Sequence, residues 1–409
     1  MGAITGAHFY IKNSQPAFKM TEIYGFLCFF TCIGTAHIAS RIVTIKKQPK
    51  NEINTLNSIK GILAISVFIC HAGVWQGYIK TNNWNPSQSY TLNAMGEYGI
   101  TFFFMMTGFF FGKKFIEEKG NSIDWVTLYT SRITRLYPVY FIFICTLFFI
   151  TLIKSQQFNE VATAKNLHSL SQWIFFAIPG SPDINGTKDT NIITSGITWT
   201  LAFDWIFYFS FPFLAPLLGS KPSKKSMIFC TPLLAIVLYL TPFYGMVYAM
   251  LCAGVLCAKI VSHEKIKLTL QGNFFSIAMV ALPVINSQIN HDTHYSVSTV
   301  LVLSLSFLIA SSGNHFFNLL KTKTLQILGT GAYAIYLFHG IFLYIGINLF
   351  QHHLGNYNEH GSDLIFWIAP LIISPCLIAF SIWVYFSIEA PATQKTALLS
   401  SKIKNFNFF

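Results

Sequence analysis

Residues 59–79 read IKGILAISVFICHAGVWQGYI, and this stretch decides the class of fold. It contains one lysine, one histidine and no acidic residue, and it matches the roughly 20 apolar residues with which a helix crosses a bilayer. Ten further apolar stretches lie near residues 22–40, 95–112, 136–154, 197–218, 227–241, 243–260, 273–290, 296–312, 325–350 and 363–387. The sequence therefore predicts an all-α, polytopic integral membrane bundle of about ten or eleven transmembrane helices.

The composition of the 409-residue chain excludes a water-soluble particle. Hydrophobic residues make up 53% of the chain and charged residues only 10%, whereas soluble domains carry about 25% charged residues. Disordered, collagen-like, coiled-coil and nucleic-acid-binding proteins are excluded by the same numbers. The net charge of +12 is explained by basic residues that mark one side of a membrane.

Loop lysines and arginines predict the orientation of the chain. With the N-terminus outside, most of the 27 basic residues fall on cytoplasmic loops and on a cytoplasmic C-terminal tail. The first apolar stretch, 22–40, is followed rather than preceded by basic residues such as Arg41. A retained transmembrane helix therefore fits it better than a cleaved signal peptide, which remains the alternative.

Ionisable groups inside a membrane are costly, so each one is a candidate for function. Lys60 and His71 lie eleven residues apart on one predicted helix, which places them on the same face and about 16 Å apart along the axis. Such a pair could hold a phosphate with its cation and move a proton with its imidazole. The alternative is a lysine that reaches the membrane surface and a histidine that hydrogen bonds to a neighbouring helix.

Three further sites carry polar chemistry in apolar surroundings. Arg132 and Arg135 lie three residues apart at the start of a helix and suit phosphate oxygens, or else simply mark the cytoplasmic side. Asp204 lies within an aromatic span, where it either partners a buried cation, orients His71, or makes a structural contact between helices. His339 is one more imidazole in an apolar stretch, with a structural role as its alternative.

Motifs of several other classes are absent from the chain. It contains no phosphate-binding P-loop, no GxSxG elbow, no HExxH and no CxxC, and its eight cysteines lie in apolar stretches without zinc-ligand spacing. We therefore expect buried thiols and no metal site. No internal repeat of the kind found in many transporters is evident.

The order of these segments resembles acyltransferase family 3, a family of integral membrane proteins. Its signatures match Lys60 and His71, the Phe-rich segment from Gly99 to Phe109, Arg132 and Arg135, the span with Trp199, Leu201, Phe207 and Tyr208, the segment from Gly329 to His339, and Glu389-Ala-Pro391. The resemblance covers about residues 55–395. Lys60 replaces the family's usual arginine and Asp204 its usual glutamate, while the helix at 22–40 precedes the family's usual first helix.

The resemblance implies an enzyme of the bacterial inner membrane. Such an O-acyltransferase moves an acyl group, most simply acetyl, from cytoplasmic acetyl-CoA to a hydroxyl of an extracytoplasmic glycan such as lipopolysaccharide O-antigen, capsule or exopolysaccharide. In this reading His71 is the general base and Asp204 a second catalytic residue that orients it. The donor is held by Lys60, Arg132 and Arg135, whereas Trp199, Tyr208 and His339 bind substrate.

The resemblance also implies a division of the chain. Residues 1–54 would hold one extra transmembrane helix, residues 55–395 the acyltransferase domain, and residues 396–409 a cytoplasmic tail. Acyl-CoA, a glycan and membrane lipid are the expected partners, without nucleic acid, while the oligomeric state stays open. A transporter or flippase of lipid-linked saccharide is the rival function, and it would not depend on acyl-CoA.

Overall fold

The computed structural model describes residues 20–43, 52–118, 123–155, 163–218, 223–240, 245–290, 295–354 and 363–405. Within these ranges the regular structure is helical, apart from one isolated bridge between Ile184 and Thr187. This confirms the predicted all-α class. Apolar side chains in helical runs explain the result, because a helix satisfies every backbone hydrogen bond within its own segment.

The helices follow one another along the chain with short connections. They are α1 Met20–Ile42, α2 Glu52–Thr81, α3 Tyr90–Glu117, α4 Trp125–Ser155, α5 Ala164–Ile174, α6 Thr190–Ile193, α7 Trp199–Leu214, α8 Lys224–Leu240, α9 Gly245–Val261, α10 Glu264–Leu270, α11 Asn273–Ile289, α12 Val297–Ser311, α13 Lys323–Thr330, α14 Ala332–Leu354, α15 Asp363–Val384, α16 Ala390–Gln394 and α17 Thr396–Asn405. Between α15 and α16, Tyr385–Glu389 form a π-helical turn.

Six helical segments of the described chain are long and apolar enough to cross a bilayer, and a seventh is added if α9 and α10, bent by 105° to each other, form one span. They are α1, α2 from Asn54, α3, α4, Ala332–Gln351 of α14 and the continuous run Asp363–Asn405. The chain is thus a multi-pass membrane protein, as predicted.

The number of helices that qualify as spans by length and apolarity is smaller than the eleven apolar stretches of the sequence. Each stretch carries a helix, but α7, α8, α9, α11 and α12 have only 15 to 17 residues. They fall short of the roughly 20 residues of a typical span. The stretch 325–350 is also divided, because α13 ends at Thr330 and α14 begins at Ala332. Thr241-Pro242 separates the stretches 227–241 and 243–260, which predicts a tight helical hairpin there, and this turn lies outside the described residues.

The cysteines divide into two groups, all of them as free thiols. Those with a buried or half-buried side chain are Cys28, Cys32, Cys70, Cys230 and Cys257, whereas Cys145, Cys252 and Cys376 lie exposed on helix surfaces. The expectation of buried thiols is therefore wrong for three of them. In a membrane bundle the outer helix faces meet lipid, where an apolar thiol is as well accommodated as in the core.

The extra helix α1 is fastened to the bundle at one end. Asp363, at the start of α15, accepts hydrogen bonds from Gln76 (2.7 Å) and Lys80 (2.8 Å) of α2, and from Thr21 of α1 (3.5 Å). Glu22 of α1 accepts a bond from Ser89, the N-cap of α3. Helix α1 thus joins the elements that carry Lys60 and His71 and is part of the same packed body.

Glycines set the closest helix contacts. A Cβ atom added at Gly108 of α3 would meet the carbonyl oxygen of Leu251, and one added at Gly254 of α9 would meet that of Met105. The same holds for Gly329 of α13, whose Cβ would meet the carbonyl oxygen of Asn57 on α2. Small residues let helix backbones approach closely in a membrane bundle. These contacts fix α2 and α3 relative to their neighbours.

We expect Gly254→Ala to lower the unfolding temperature of the detergent-solubilised protein. The added methyl group meets backbone that has no room to move, and overpacking of this kind costs about 1–3 kcal/mol. The control is Gly34→Ala, because a Cβ atom there meets nothing within 4 Å and alanine favours a helix. Equal unfolding temperatures for the two variants would contradict the close approach of α3 and α9.

Candidate functional site

A cavity of about 150 Å³ lies between α2, α3, α4, α7, α14 and the π turn. Five charged side chains line it, namely Lys60, Arg132, Arg135, Asp204 and Glu389. Aromatic side chains complete the wall, among them Phe103, Phe110, Phe111, Tyr208, Tyr333 and Tyr336. The fold thus gathers five of the predicted site residues, Tyr208 included, from three helices into one chamber.

Aromatic rings of α3 hold two of the cations. The Lys60 ammonium lies 4.5 Å from the centre of the Phe110 ring. The Arg132 guanidinium lies 4.6 Å from the Phe111 ring and 5.9 Å from the Tyr208 ring. Ring faces attract cations where water is excluded. Lys60 therefore points into the cavity, and the alternative of a lysine that reaches the membrane surface does not describe its position.

Arg135 forms an ion pair with Glu389, whose Oε1 lies 3.4 Å from the guanidinium Nε. The Glu389 side chain is 5% exposed and that of Arg135 39% exposed, so the cavity opens to its surroundings on the arginine side. Glu389 Oε2 and Arg132 Nε are buried without a hydrogen-bond partner among the described residues. Buried polar atoms normally have partners, so these two atoms suit a ligand that both accepts and donates hydrogen bonds.

The π turn explains how Glu389 reaches the cavity. Residues Tyr385–Glu389 form the turn, and Pro391 follows it at the beginning of α16. Proline has no backbone N–H and cannot continue the α-helical bonding pattern, and single π turns are frequent at functional sites. In the sequence, Glu389-Ala-Pro391 matches only a family signature. A carboxylate at the end of an apolar run was the signal that marks it as a site residue.

Asp204 lies on the cation side of the site. Its Oδ1 accepts a hydrogen bond from the Thr107 hydroxyl at 3.2 Å, and it lines the same cavity as Arg132. The hydrogen bonds that the structure gives to His71 go to other groups. Asp204 thus takes the position of a partner for buried cations, while an orienting role toward His71 stays a prediction without a contact behind it.

His71 and His339 lie against each other, next to the cavity but not in its wall. His71 Nδ1 is 3.1 Å from His339 Nε2 and 3.0 Å from the Val67 carbonyl oxygen. His339 Nδ1 is 3.3 Å from the Ile335 carbonyl oxygen. The alternative that His71 contacts a neighbouring helix is therefore met, and that contact is a second imidazole.

The two backbone carbonyls assign the protons of this pair. A carbonyl oxygen only accepts, so His339 carries its proton on Nδ1, and its Nε2 is left as an acceptor. His71 then also carries its proton on Nδ1 and shares it between Val67 and His339. The consequence is that the lone pair of a neutral His71 lies on Nε2, the nitrogen that a general base would use.

Tyr336 links the cavity to the histidine pair. It lines the cavity, and its ring centre lies 6.0 Å from that of His339. The Tyr336 and Thr200 hydroxyls are 2.8 Å apart.

Trp199, predicted to bind substrate, instead packs on Phe104 of the cavity wall and on Phe203, at ring distances of 6.1 and 5.8 Å. Its role in binding stays a prediction.

A family model described as an acyltransferase domain, the model of acyltransferase family 3, matches residues 53–389. The chain belongs to this acyltransferase family. No curated protein and no solved structure matches it. The match runs from Ile53, the second residue of α2, to Glu389, the last residue of the π turn, so every residue that lines the cavity lies within the acyltransferase domain.

The acyltransferase domain requires an acyl donor and an acceptor. Three cations and two carboxylates in one chamber are a suitable environment for a ligand with several phosphate oxygens and amide groups. No group of three or more histidines, cysteines or acidic residues in the described chain could hold a metal ion.

We expect Glu389→Gln to lower the unfolding temperature of the protein when no ligand is added. The variant leaves three cations with one carboxylate, and the lost ion pair is worth roughly 1–2 kcal/mol, less than a fully buried pair because Arg135 is partly exposed. Added pyrophosphate should restore more stability to the variant than to the wild type. Thermal unfolding with and without pyrophosphate measures both effects.

The matched control is Glu264→Gln. Glu264 pairs with Lys267 at 3.7 Å and is 68% exposed, so the same chemical change at the surface should leave the unfolding temperature and the pyrophosphate response unaltered. Identical behaviour of the two variants would contradict the charge balance inferred for the cavity.

Proposed function

We propose that this membrane acyltransferase moves an acyl group, most simply acetyl, from acyl-CoA to a hydroxyl of an extracytoplasmic glycan such as lipopolysaccharide O-antigen, capsule or exopolysaccharide. The observation that supports it most is the joining of a cationic cavity to a histidine pair through Tyr336, within an acyltransferase domain. The cavity suits the anionic donor, and the pair suits proton removal from the acceptor.

The donor side is supported by charge and position. Coenzyme A carries phosphates, and arginine binds phosphate oxygens through two parallel N–H groups. Arg135 lies at the exposed side of the cavity, where the phosphates would enter, while the aromatic walls accommodate the apolar parts of the pantetheine arm. Asp204 and Glu389 would offset the cations and accept from ligand N–H groups.

The chemistry needs one base and no metal. His71 Nε2 takes the proton of the acceptor hydroxyl as its oxygen attacks the thioester carbonyl, which forms a tetrahedral intermediate. When the intermediate collapses, the C–S bond breaks and the proton passes from His71 to the sulfur. The products are the ester and free CoA–SH. His339 holds the His71 ring and its Nδ1 proton in place, the role that the sequence predicts for Asp204.

The proposed location is the bacterial inner membrane, with the N-terminus outside and the cavity open to the cytoplasm. Basic residues are concentrated near the cavity end of the bundle, as at Lys113 and Lys114 of α3 and Lys402 and Lys404 of α17. This pattern is typical of the cytoplasmic side. The pattern supports an orientation in which cytoplasmic acyl-CoA would reach the cations.

Inverted membrane vesicles with radiolabelled acetyl-CoA test the proposal. We expect label in polysaccharide from vesicles that contain the protein and none from vesicles without it. A flippase of lipid-linked saccharide would instead move its substrate without acetyl-CoA and leave the polysaccharide unlabelled, which would overturn the enzymatic proposal.

We expect His71→Ala to reduce acyl transfer by about a hundredfold or more, since a general base contributes about 10²–10⁴-fold to rate. Binding of CoA should persist, because His71 lies outside the cavity wall. Initial rates of glycan labelling and CoA titration of the purified variant measure the two effects. The control His263→Ala removes an exposed imidazole at the start of α10 and should keep full activity; activity near wild type in His71→Ala would refute the base.

We expect Arg132→Ala to weaken CoA binding about ten- to a hundredfold, because each hydrogen bond from a charged group is worth roughly 1.5–3 kcal/mol. Thermal-shift titration with CoA gives the affinity. Lys395→Ala is the control, since Lys395 is exposed near the same end of the bundle but does not line the cavity. If both variants bound CoA like the wild type, Arg132 would be no part of the donor site.

A further inference from the structure

Four aromatic rings meet beyond the histidine pair, on the side away from the cationic cavity. Trp75 and Tyr78 come from α2, Trp84 from the segment before α3, and Tyr344 from α14. The ring of Trp75 lies 5.4 Å from Tyr78, 5.3 Å from Trp84 and 6.1 Å from Tyr344, and Tyr78 lies 5.6 Å from Trp84. We refer to these four residues as the aromatic cluster.

The order of residues along α2 and α14 shows where the aromatic cluster lies relative to the cavity and the histidine pair. On α2 the chain passes from Lys60 through His71 to Trp75, and on α14 from Tyr336 through His339 to Tyr344. Both helices therefore run in the same direction, with the cavity first, an imidazole next and an aromatic ring last. Trp75 follows His71 by four residues, about 6 Å along the axis. The cluster thus begins one helical turn beyond the proposed base.

Polar groups surround the exposed rim of the cluster. The Lys154 ammonium lies 5.5 Å from the centre of the Tyr344 ring, and the exposed Asp189 is close enough to Tyr78 to act on it electrostatically. Trp75 Nε1 donates to the hydroxyl of Ser195 at 3.3 Å. Trp75 itself is buried, whereas Tyr78, Trp84 and Tyr344 are half-buried, so three rings are accessible from outside.

We propose that the aromatic cluster is the subsite for the acceptor glycan, where a pyranose ring stacks on Trp84 and Tyr344. The C–H face of a sugar is apolar and pairs with aromatic rings, while its hydroxyls bond to charged groups such as those of Lys154 and Asp189 at the rim. A sugar seated there presents a hydroxyl toward His71. This inference rests on the proposed function, and it assigns the acceptor to residues other than Trp199 and Tyr208.

The arrangement differs from that of aromatic residues that only anchor a protein at the membrane surface. Anchoring rings are distributed around the circumference of a bundle, whereas these four converge from three segments onto one point above the histidine pair. Ser195, which holds Trp75, has a left-handed backbone (φ +54°), as does Asp189 (φ +57°). Such conformations cost energy and persist where the surroundings impose them, often at binding sites.

Trp84→Ala and Tyr344→Leu test the subsite in protein reconstituted with acetyl-CoA and de-O-acetylated surface polysaccharide from the producing cells. Loss of a stacked ring should raise the KM for polysaccharide about tenfold, while kcat and the KM for acetyl-CoA stay within about twofold. Trp84→Phe keeps a ring and should recover most of the lost affinity. The control Trp383→Ala removes a ring that is 57% exposed on α15, away from the cluster, and should change neither KM.

A second measurement separates this proposal from the proposed function. Tryptophan fluorescence of wild type and variants is titrated with the same polysaccharide in the absence of acetyl-CoA. Binding by wild type that Tyr344→Leu loses supports the subsite even if no acyl transfer is found, because this variant keeps every tryptophan. The contrary results are acyl transfer with a polysaccharide KM that is unchanged in both cluster variants, or one that shifts no more than in Trp383→Ala. Either result would overturn the subsite and identify the cluster as a membrane anchor. The acyltransferase proposal would stand in both cases.

Discussion

Repulsion among Lys60, Arg132 and Arg135 is the constraint around which this bundle is organised. Three like charges in a chamber of about 150 Å³, inside a body made mostly of apolar helices, would be strongly unfavourable by themselves. The Phe110 and Phe111 rings lie against two of the cations, and Glu389 pairs with the third. Asp204 is the second carboxylate of the chamber, so three cations and two carboxylates leave an excess of one positive charge. A phosphate-bearing ligand would neutralise it.

Close helix contacts make this arrangement possible. Gly61 follows Lys60 and packs against the backbone at Leu328 and Gly329, while Gly108 follows Thr107 and packs against Leu251. Larger residues would push α2 away from α13 and α3 away from α9, and the rings and cations of the chamber would separate. Without a hydrophobic drive between helices in lipid, such tight packing is what holds a bundle together.

The membrane class and most residues of the chamber could be predicted from sequence, for different physical reasons. The length of an apolar stretch reflects the thickness of the hydrocarbon core of a bilayer. Charged residues such as Lys60 and Asp204 are conspicuous because a membrane segment rarely tolerates them. The helix lengths could not be obtained in this way, since five apolar stretches form helices of only 15 to 17 residues. The sequence shows apolarity, while the caps and breaks that end a helix depend on tertiary packing.

The contacts between residues of the site could not be predicted from the sequence either. Helical periodicity correctly suggests that Lys60 and His71 share one face of α2, but it does not show that Tyr336 connects the cavity to the histidine pair. The contact between His71 and His339 joins residues 268 positions apart, and no local pattern predicts it. In the sequence, Glu389 is evident only as part of a family signature. Its partner Arg135 lies 254 residues away, and only folding brings the two side chains together.

The π turn has a consequence for the long C-terminal helical run, Asp363–Asn405. One extra residue in a helical turn rotates everything beyond it by about 100°. Before the turn, α15 packs on α1 and α14; beyond it, α16 and α17 pack on α4. The π turn thus lets one helical run contact different neighbours on its two sides, and Glu389 lies at the point where the two sets of neighbours meet.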